Sequence, residues 1–432
     1  MIGKYLRQSF MMLKQNPLFS SLYIVGTGLA ISMVMVLAVL YYVKVGNIYP
    51  ETHRNRMMVA LSAHMQSIED ASYNTTARYS ISVIRECFYS LEGAEAVTAF
   101  TKTMPGTVKP EKSKRPQSVL LKYADTTFWK VFDFAFIHGK PFTEADFLSG
   151  LRMAVISDIM ARKIFGETDV VGKELKLNHQ VYKICGVVKS PSYAMKLSYA
   201  HVWLPYTCNE MITKSANMQA LGQFQVAILL SSALDADEIK VQVDEYVRKF
   251  NLQPHNGYRL LMHGQPYLHW KSLFYQDAME ELDYVKMLRQ IGIWLLMLLL
   301  VPAINLSGMI TSRMELRLPE MGVRKAFGAT GRWLFSQIVW ENLLLTGMGG
   351  VLGLALSFGM VTFAQSWMLT ILDGGTSLLP LGAQGITWDM LFNPTLFLLT
   401  FFICIVLNLI SALIPASLAL KKDIVYSLNK QK

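Results

Sequence analysis

Four apolar runs, each too long to be left facing water, constrain this chain more than any other feature. A helix crossing the hydrocarbon core of a bilayer needs about 20 apolar residues. Ser21 to Val43 carries no charge at all, and Ile291 to Ile310 is bounded by Arg289 and Arg313. A third span is expected over 335–368 and a fourth over 394–415, opened by Asn393-Pro394 and closed by Pro415. Composition agrees: 52% of the 432 residues are hydrophobic, only 17% are charged, and mean hydropathy is +0.30. The first run competes with a cleaved signal peptide, since basic residues precede it. It is longer than the roughly 7–15 residues of a signal core, and no small-x-small site follows "YYVKVGNIYPE", so a retained anchor is the better reading.

Charge placement gives the expected orientation. Residues 1–20, 311–334 and 416–432 each carry a net charge of +3, and together they supply nearly all of the chain's +10. Segment 369–393 carries Asp373 and Asp389 and no base. By the positive-inside rule the three basic segments, and with them both termini, are cytoplasmic. Basicity of this kind reads as topology and contact with anionic lipid. Nucleic acid is not an expected partner, because the bases form no patch on a soluble domain.

Between the first two spans lies a segment long enough for its own core, expected over 44–270 on the far side of the membrane. "SVLLKY" (118–123) and "RMAVIS" (152–157) read as buried strands, and "DIMARKIF" (158–165) as a helix closed by Gly166. "KELKL" and "QVYKICGVV" flank Asn178-His179 as a hairpin, and 235–250 has helical spacing. The class is α+β. Residues 271–290 contain no glycine or proline and lead into the second span, so they are expected to form a stalk helix, with a break near Gly292 as the other reading. Cys87, Cys185 and Cys208 allow at most one disulfide in the external segment.

No catalytic constellation is present: there is no GxxxxGK[ST], GxSxG or HExxH, and no metal-ligand spacing. No catalytic or metal residue is therefore assigned, and no cofactor is expected on the chain itself. Lacking a phosphate-binding loop, it is not expected to act as an enzyme on ATP.

Residues 315–358, "ELRLPEMGVRKAFGATGRWLFSQIVWENLLLTGMGGVLGLALSF", resemble the FtsX/MacB-type ABC transporter permease module. The stretch 132–190, with "GKPFTEAD" and "GVVKS", is similar to that family's periplasmic core domain, and "ALIPASLALKKDIVYSLNK" to its C-terminal signature. The resemblance covers essentially the whole chain. It implies a multi-pass protein of the cytoplasmic (inner) membrane with a periplasmic domain. Such a permease pairs with a second copy or a related permease and with a separate ABC ATPase that binds the ATP. Its motion would serve export or extraction of a substrate, with room for a periplasmic adaptor or an outer-membrane component. The alternative is an FtsX-like regulator that activates an external partner such as a cell-wall hydrolase; the large external domain favours the exporter-like branch. Two departures stand out. Pro319 precedes the glutamate of the family's RxxEIGIRKA pattern, and this chain starts directly at the membrane, where fused exporters carry an ATPase.

That resemblance gives a role to the charged stretch between the second and third spans. Pro319 and Glu320 start a short helix and Gly328 stops it. Val323, Ala326 and Phe327 share one face, and Met321, Arg324 and Lys325 the other. An apolar face of this size suits a groove on the ATPase; the blander reading is a surface helix held to headgroups by its bases. In the third span Gly347, Gly349, Gly350 and Gly353 permit close helix approach, either within one subunit or at a dimer seam. Glu341 is expected to pair with Arg332 or Arg324.

Overall fold

The structure, a computed structural model, describes residues 17–110, 116–214, 220–232, 235–253, 257–273, 319–372, 385–387 and 393–420, with scattered positions between 285 and 308 and Met390. Most of the expected stalk, 271–290, and most of the expected second span, 291–310, lie outside the described residues, as do 1–16, 311–318 and the tail 421–432. The chain divides into two compact units. One contains Met1–Tyr42, Val285–Met368 and Trp388–Lys432; the other contains Val43–Tyr284 and Leu369–Thr387.

The first unit is helical. Helix α1 (Pro17–Val45) has no charge before Lys44 and no proline after its first residue. Tyr23, Thr27, Ile31, Met35 and Val39 are buried along one face, while Leu22, Val25, Leu29, Met33 and Leu37 lie bare along another. A helix apolar on its exposed side suits lipid rather than water. Two described helices are long and apolar enough to cross a membrane: Ser20–Val45 and Gly331–Ala364.

The remaining helices of the unit depart from the expected limits. The later of the two crossing-length helices belongs to a helix of 42 residues, Gly331–Leu372, which overruns the expected 335–368 at both ends. The last helix runs from Pro394 to Leu420 with a shorter apolar stretch, Phe397–Ile410. It begins where expected, Asn393 accepting from the Phe397 amide at 3.0 Å. It does not stop at Pro415, which corrects the expected end. Proline removes one hydrogen bond, and apolar helices of this kind tolerate the loss where neighbouring groups re-satisfy the freed carbonyl.

The second unit is a mixed α+β domain. Its central antiparallel pairs join Phe224–Leu230 to Ala94–Thr101 on one side and to Met57–Ala60 on the other. Parallel pairs join Met153–Ser157 to Gln180–Val188, and Val202–Pro205 to Gln117–Ala124. Strand Gln117–Ala124 covers the first segment read as a buried strand, and Met153–Ser157 all of the second but Arg152. Helix α2 (Asp158–Phe165) ends at Gly166, whose φ of 87° is the left-handed stop expected of glycine. Asn178 and His179, at φ 46° and 68°, make the tight turn joining Glu174–Leu177 to Gln180–Val188. Helix α3 (Ala236–Asn251) buries Ala236, Ile239 and Val243 on one stripe. Phe100, Phe128, Phe132 and Trp203, all fully buried, centre the core in edge-to-face contacts with their aromatic neighbours.

Candidate coupling site

The short helix expected at Pro319 occupies 319–326. Its end is a Schellman stop. Gly328, at φ 89°, donates to the Lys325 carbonyl at 3.0 Å, and the Ala329 amide reaches back to the Arg324 carbonyl at 2.9 Å. Thr330 then starts the next helix, its carbonyl accepting from Trp333 and Leu334 at 3.1 and 3.2 Å. With so few residues between, the direction of the short helix is fixed relative to Gly331–Leu372.

The two faces of this helix behave oppositely. Gly322 is buried, and Met321, Arg324 and Lys325 are half-buried. Arg324 pairs with Glu320 one turn back and donates to Gln337 of the following helix at 2.9 Å. Val323, Ala326 and Phe327 face outward, Val323 at 45% exposure and Phe327 at 89%. The basic face, read from sequence as a surface for headgroups, is thus partly engaged in bracing the helix. Its apolar face is the bare one. Glu341 is buried in the long helix, near Asn342 and Thr346 in sequence and like them buried.

Three of the four glycines singled out in helix Gly331–Leu372 meet a neighbouring helix. A Cβ at Gly349 would lie 2.9 Å from the Thr27 Cβ, and one at Gly353 would lie 2.8 Å from the Gly28 carbonyl. Gly350 faces the Phe401 ring, and Gly347 meets nothing within 4 Å. Positions 27 and 28 thus step along α1 in the same sense as 349 and 353 along the later helix. The two helices run parallel, so their N-terminal ends, and helix 319–326 with them, lie at the same end of this unit.

Sequence reasoning missed a second constellation, in the domain, where α1 ends. Arg54 Nη1 donates to the carbonyls of Val43 at 2.8 Å and of Lys44 and Gly46 at 3.2 Å. Its Nε and Nη2 hold Glu51 Oε2 at 2.8 and 2.6 Å. Glu51 Oε1 accepts from the Ser198 amide at 3.0 Å and its hydroxyl at 2.7 Å, and the Ser198 carbonyl accepts from the Trp203 indole at 3.0 Å. His269 Nε2 lies 3.9 Å from Glu51 Oε2.

Burial would push the Glu51 carboxyl up, but Arg54, His269 and Ser198 together hold it below the ordinary value. Burial, then Arg54, lowers the His269 imidazole to about 4 against the pull of Glu51. A cavity of about 170 Å³ borders Glu51, Arg54 and His269. Only the acid–base pair three residues apart in "ETHR", just past an apolar run, hinted at this network. Cys87, Cys185 and Cys208 are free thiols, each pushed up by burial, to about 12, 12 and 11.

Comparison with known proteins adds identity to this geometry. Residues 20–246 match the model of the MacB-like periplasmic core domain, and residues 292–424 that of the FtsX-like permease C-terminal region. The chain is 22% identical over 372 residues to the uncharacterized ABC transporter permease YknZ of Bacillus subtilis, covering 85% of this chain and 84% of that protein. It is 26% identical over 242 residues to the pyoverdine export ATP-binding/permease protein PvdT of Pseudomonas savastanoi, covering 55% of this chain. With the macrolide export ATP-binding/permease protein MacB of Bdellovibrio bacteriovorus it shares 23% over 253 residues. The chain spans 34% and 37% of the length of those two relatives. Among solved structures, the extracellular domain of YknZ aligns at a TM-score of 0.36 and 20% identity, over 47% of this chain and 99% of that one. The family models cover both the domain that carries the Arg54 network and the segment that carries helix 319–326, and the chain belongs to the MacB/FtsX-type family of ABC transporter permeases.

Proposed function

We propose that this chain is the transmitting permease of an ABC system, receiving motion from a separate ATPase at helix 319–326 and delivering it to an extracytoplasmic domain that exports or extracts a substrate. The observation that carries this reading is the apolar face of that helix, with Phe327 89% exposed on a helix braced by Arg324 and Gln337. A bare aromatic on a fixed helix is what a groove on a partner binds. A separate ATPase fits the match along most of YknZ, an ABC transporter permease by name. Four spans with cytoplasmic termini fit the three basic segments and the parallel course of α1 and Gly331–Leu372. Glu320, Met321, Arg324, Lys325 and Gly328 set the pose of the site, while Val323, Ala326 and Phe327 make the contact.

Co-purification of the partner ATPase with the full-length permease tests this. Phe327→Ala removes a buried aromatic contact of about 3 kcal/mol, so binding weakens over a hundredfold at both low and high salt. Retention of the ATPase by Phe327→Ala, with the largest loss when Arg324 and Lys325 are both replaced and that loss greater at low salt than at high, contradicts it and favours a helix resting on headgroups.

A further inference from the structure

We infer that Arg54 and Glu51 form the joint that fastens the outer end of the first membrane helix to the extracytoplasmic domain, positioning that end so that its displacement reaches the domain core. This rests on the transmission reading above. A helix C-terminus leaves its last carbonyls without intrahelical partners, and water normally satisfies them. Here one guanidinium collects three, those of Val43, Lys44 and Gly46. Arginine suits the task because its donors are fixed in one plane: while Nη1 holds the helix end, Nε and Nη2 hold Glu51. An ammonium on a flexible stem cannot span both sides.

From Glu51 the connection continues inward without a gap. Ser198 binds the other carboxylate oxygen through both amide and hydroxyl, and its carbonyl takes the indole proton of Trp203, fully buried in strand Val202–Pro205. Three residues therefore link the end of α1 to the sheet and its aromatic core. The Arg54 and Glu51 side chains are 3% and 0% exposed. A buried ion pair commonly adds no stability over apolar residues of similar size, so what this pair supplies is a fixed geometry. His269 packs against the same carboxylate, on the segment by which the domain leads toward the second apolar run.

The test uses the full-length chain in lipid nanodiscs, alone and with its ATPase. Two variants separate geometry from folding: Arg54→Lys, which keeps the charge, and the double variant Arg54→Met with Glu51→Leu, which fills the site with apolar side chains. Hydrogen exchange of the chain alone is read first. In Arg54→Lys, amides over 43–56 exchange about tenfold faster, while strands Gln117–Ala124 and Phe224–Leu230 keep their protection.

The second measurement is energy transfer from a dye on Leu252→Cys to an acceptor lipid, with and without ATP plus vanadate. Both variants lose the ATP-driven change while ATPase binding and turnover stay within about twofold of the parent. Unchanged exchange over 43–56 in Arg54→Lys overturns the joint. So does an ATP-driven change of parental size in the double variant, or protection lost equally across the sheet in both variants. A parent complex with no ATP-driven change sinks the transmission reading instead, and the exchange data still decide whether Arg54 holds the helix end.

Discussion

Lys122 shows how a single residue sets a pH dependence. It lies fully buried on strand Gln117–Ala124, with Nζ 3.4 Å from the Thr101 carbonyl and 5.0 Å from the centre of the Phe100 ring. Burial lowers its ammonium to about 7, with Glu51 opposing the fall and Arg78 adding to it. An unfolded lysine keeps its proton to about 10.4. Between pH 7 and 10 the unfolded chain therefore binds more protons than the folded one, and stability rises with pH across that window; below pH 7 the burial penalty is constant and largest. Thermal unfolding of the detergent-solubilised chain should show a midpoint that climbs from pH 7 to 8, below the range in which the buried thiols, protonated when folded and ionised when unfolded, pull it back down. Lys122→Met should raise the midpoint at pH 7, by about 1–3 kcal/mol in stability, and flatten the climb. A midpoint that falls over that range in the parent, or a variant with the same slope, contradicts the assignment. Nothing in the sequence marked Lys122: "SVLLKY" reads as a buried strand, and no spacing singles out its lysine.

At the scale of elements, what the sequence made legible was local. The left-handed stops at Gly166 and Gly328, the Asn178-His179 turn and the stripe of α3 each depend on residues within a few positions of one another. The network of Glu51 and Ser198 joins residues 147 apart, and no spacing rule reaches that far. Pro415 misled for a related reason, since its rule comes from helices in water, where a freed carbonyl readily finds another partner. Helix packing was legible only in kind: four glycines announced close approach, but only the structure separates Gly353, against the Gly28 backbone, from Gly347, against nothing. Gly353→Leu must push two backbones apart and should cost roughly 2–3 kcal/mol, lowering the amount of folded protein recovered from membranes. Gly347→Leu should leave that yield near the parent's. Equal losses in both would argue that glycine matters there through the helix itself rather than through packing on α1.

For the whole molecule, the proposed course of the chain is testable by labelling. Cysteines placed near Lys14, Arg332 and Lys430 should react only from the cytoplasmic side, and those near Lys112 and Gly382 only from outside. An exchange between the sets refutes four spans. The native external thiols, buried and pushed well above the ordinary cysteine range, should stay silent in such experiments. The same silence permits the decisive assay: a dye on Leu252→Cys, at a position 72% exposed, reporting by energy transfer to membrane lipid on the permease–ATPase complex. If motion enters at helix 319–326 and reaches the domain, ATP plus vanadate changes the transfer in the parent complex, and Phe327→Ala abolishes the change at the ATPase concentration that just saturates the parent. Transfer that is indifferent to ATP while the ATPase turns over, or a change of the same size in Phe327→Ala, contradicts transmission through this helix.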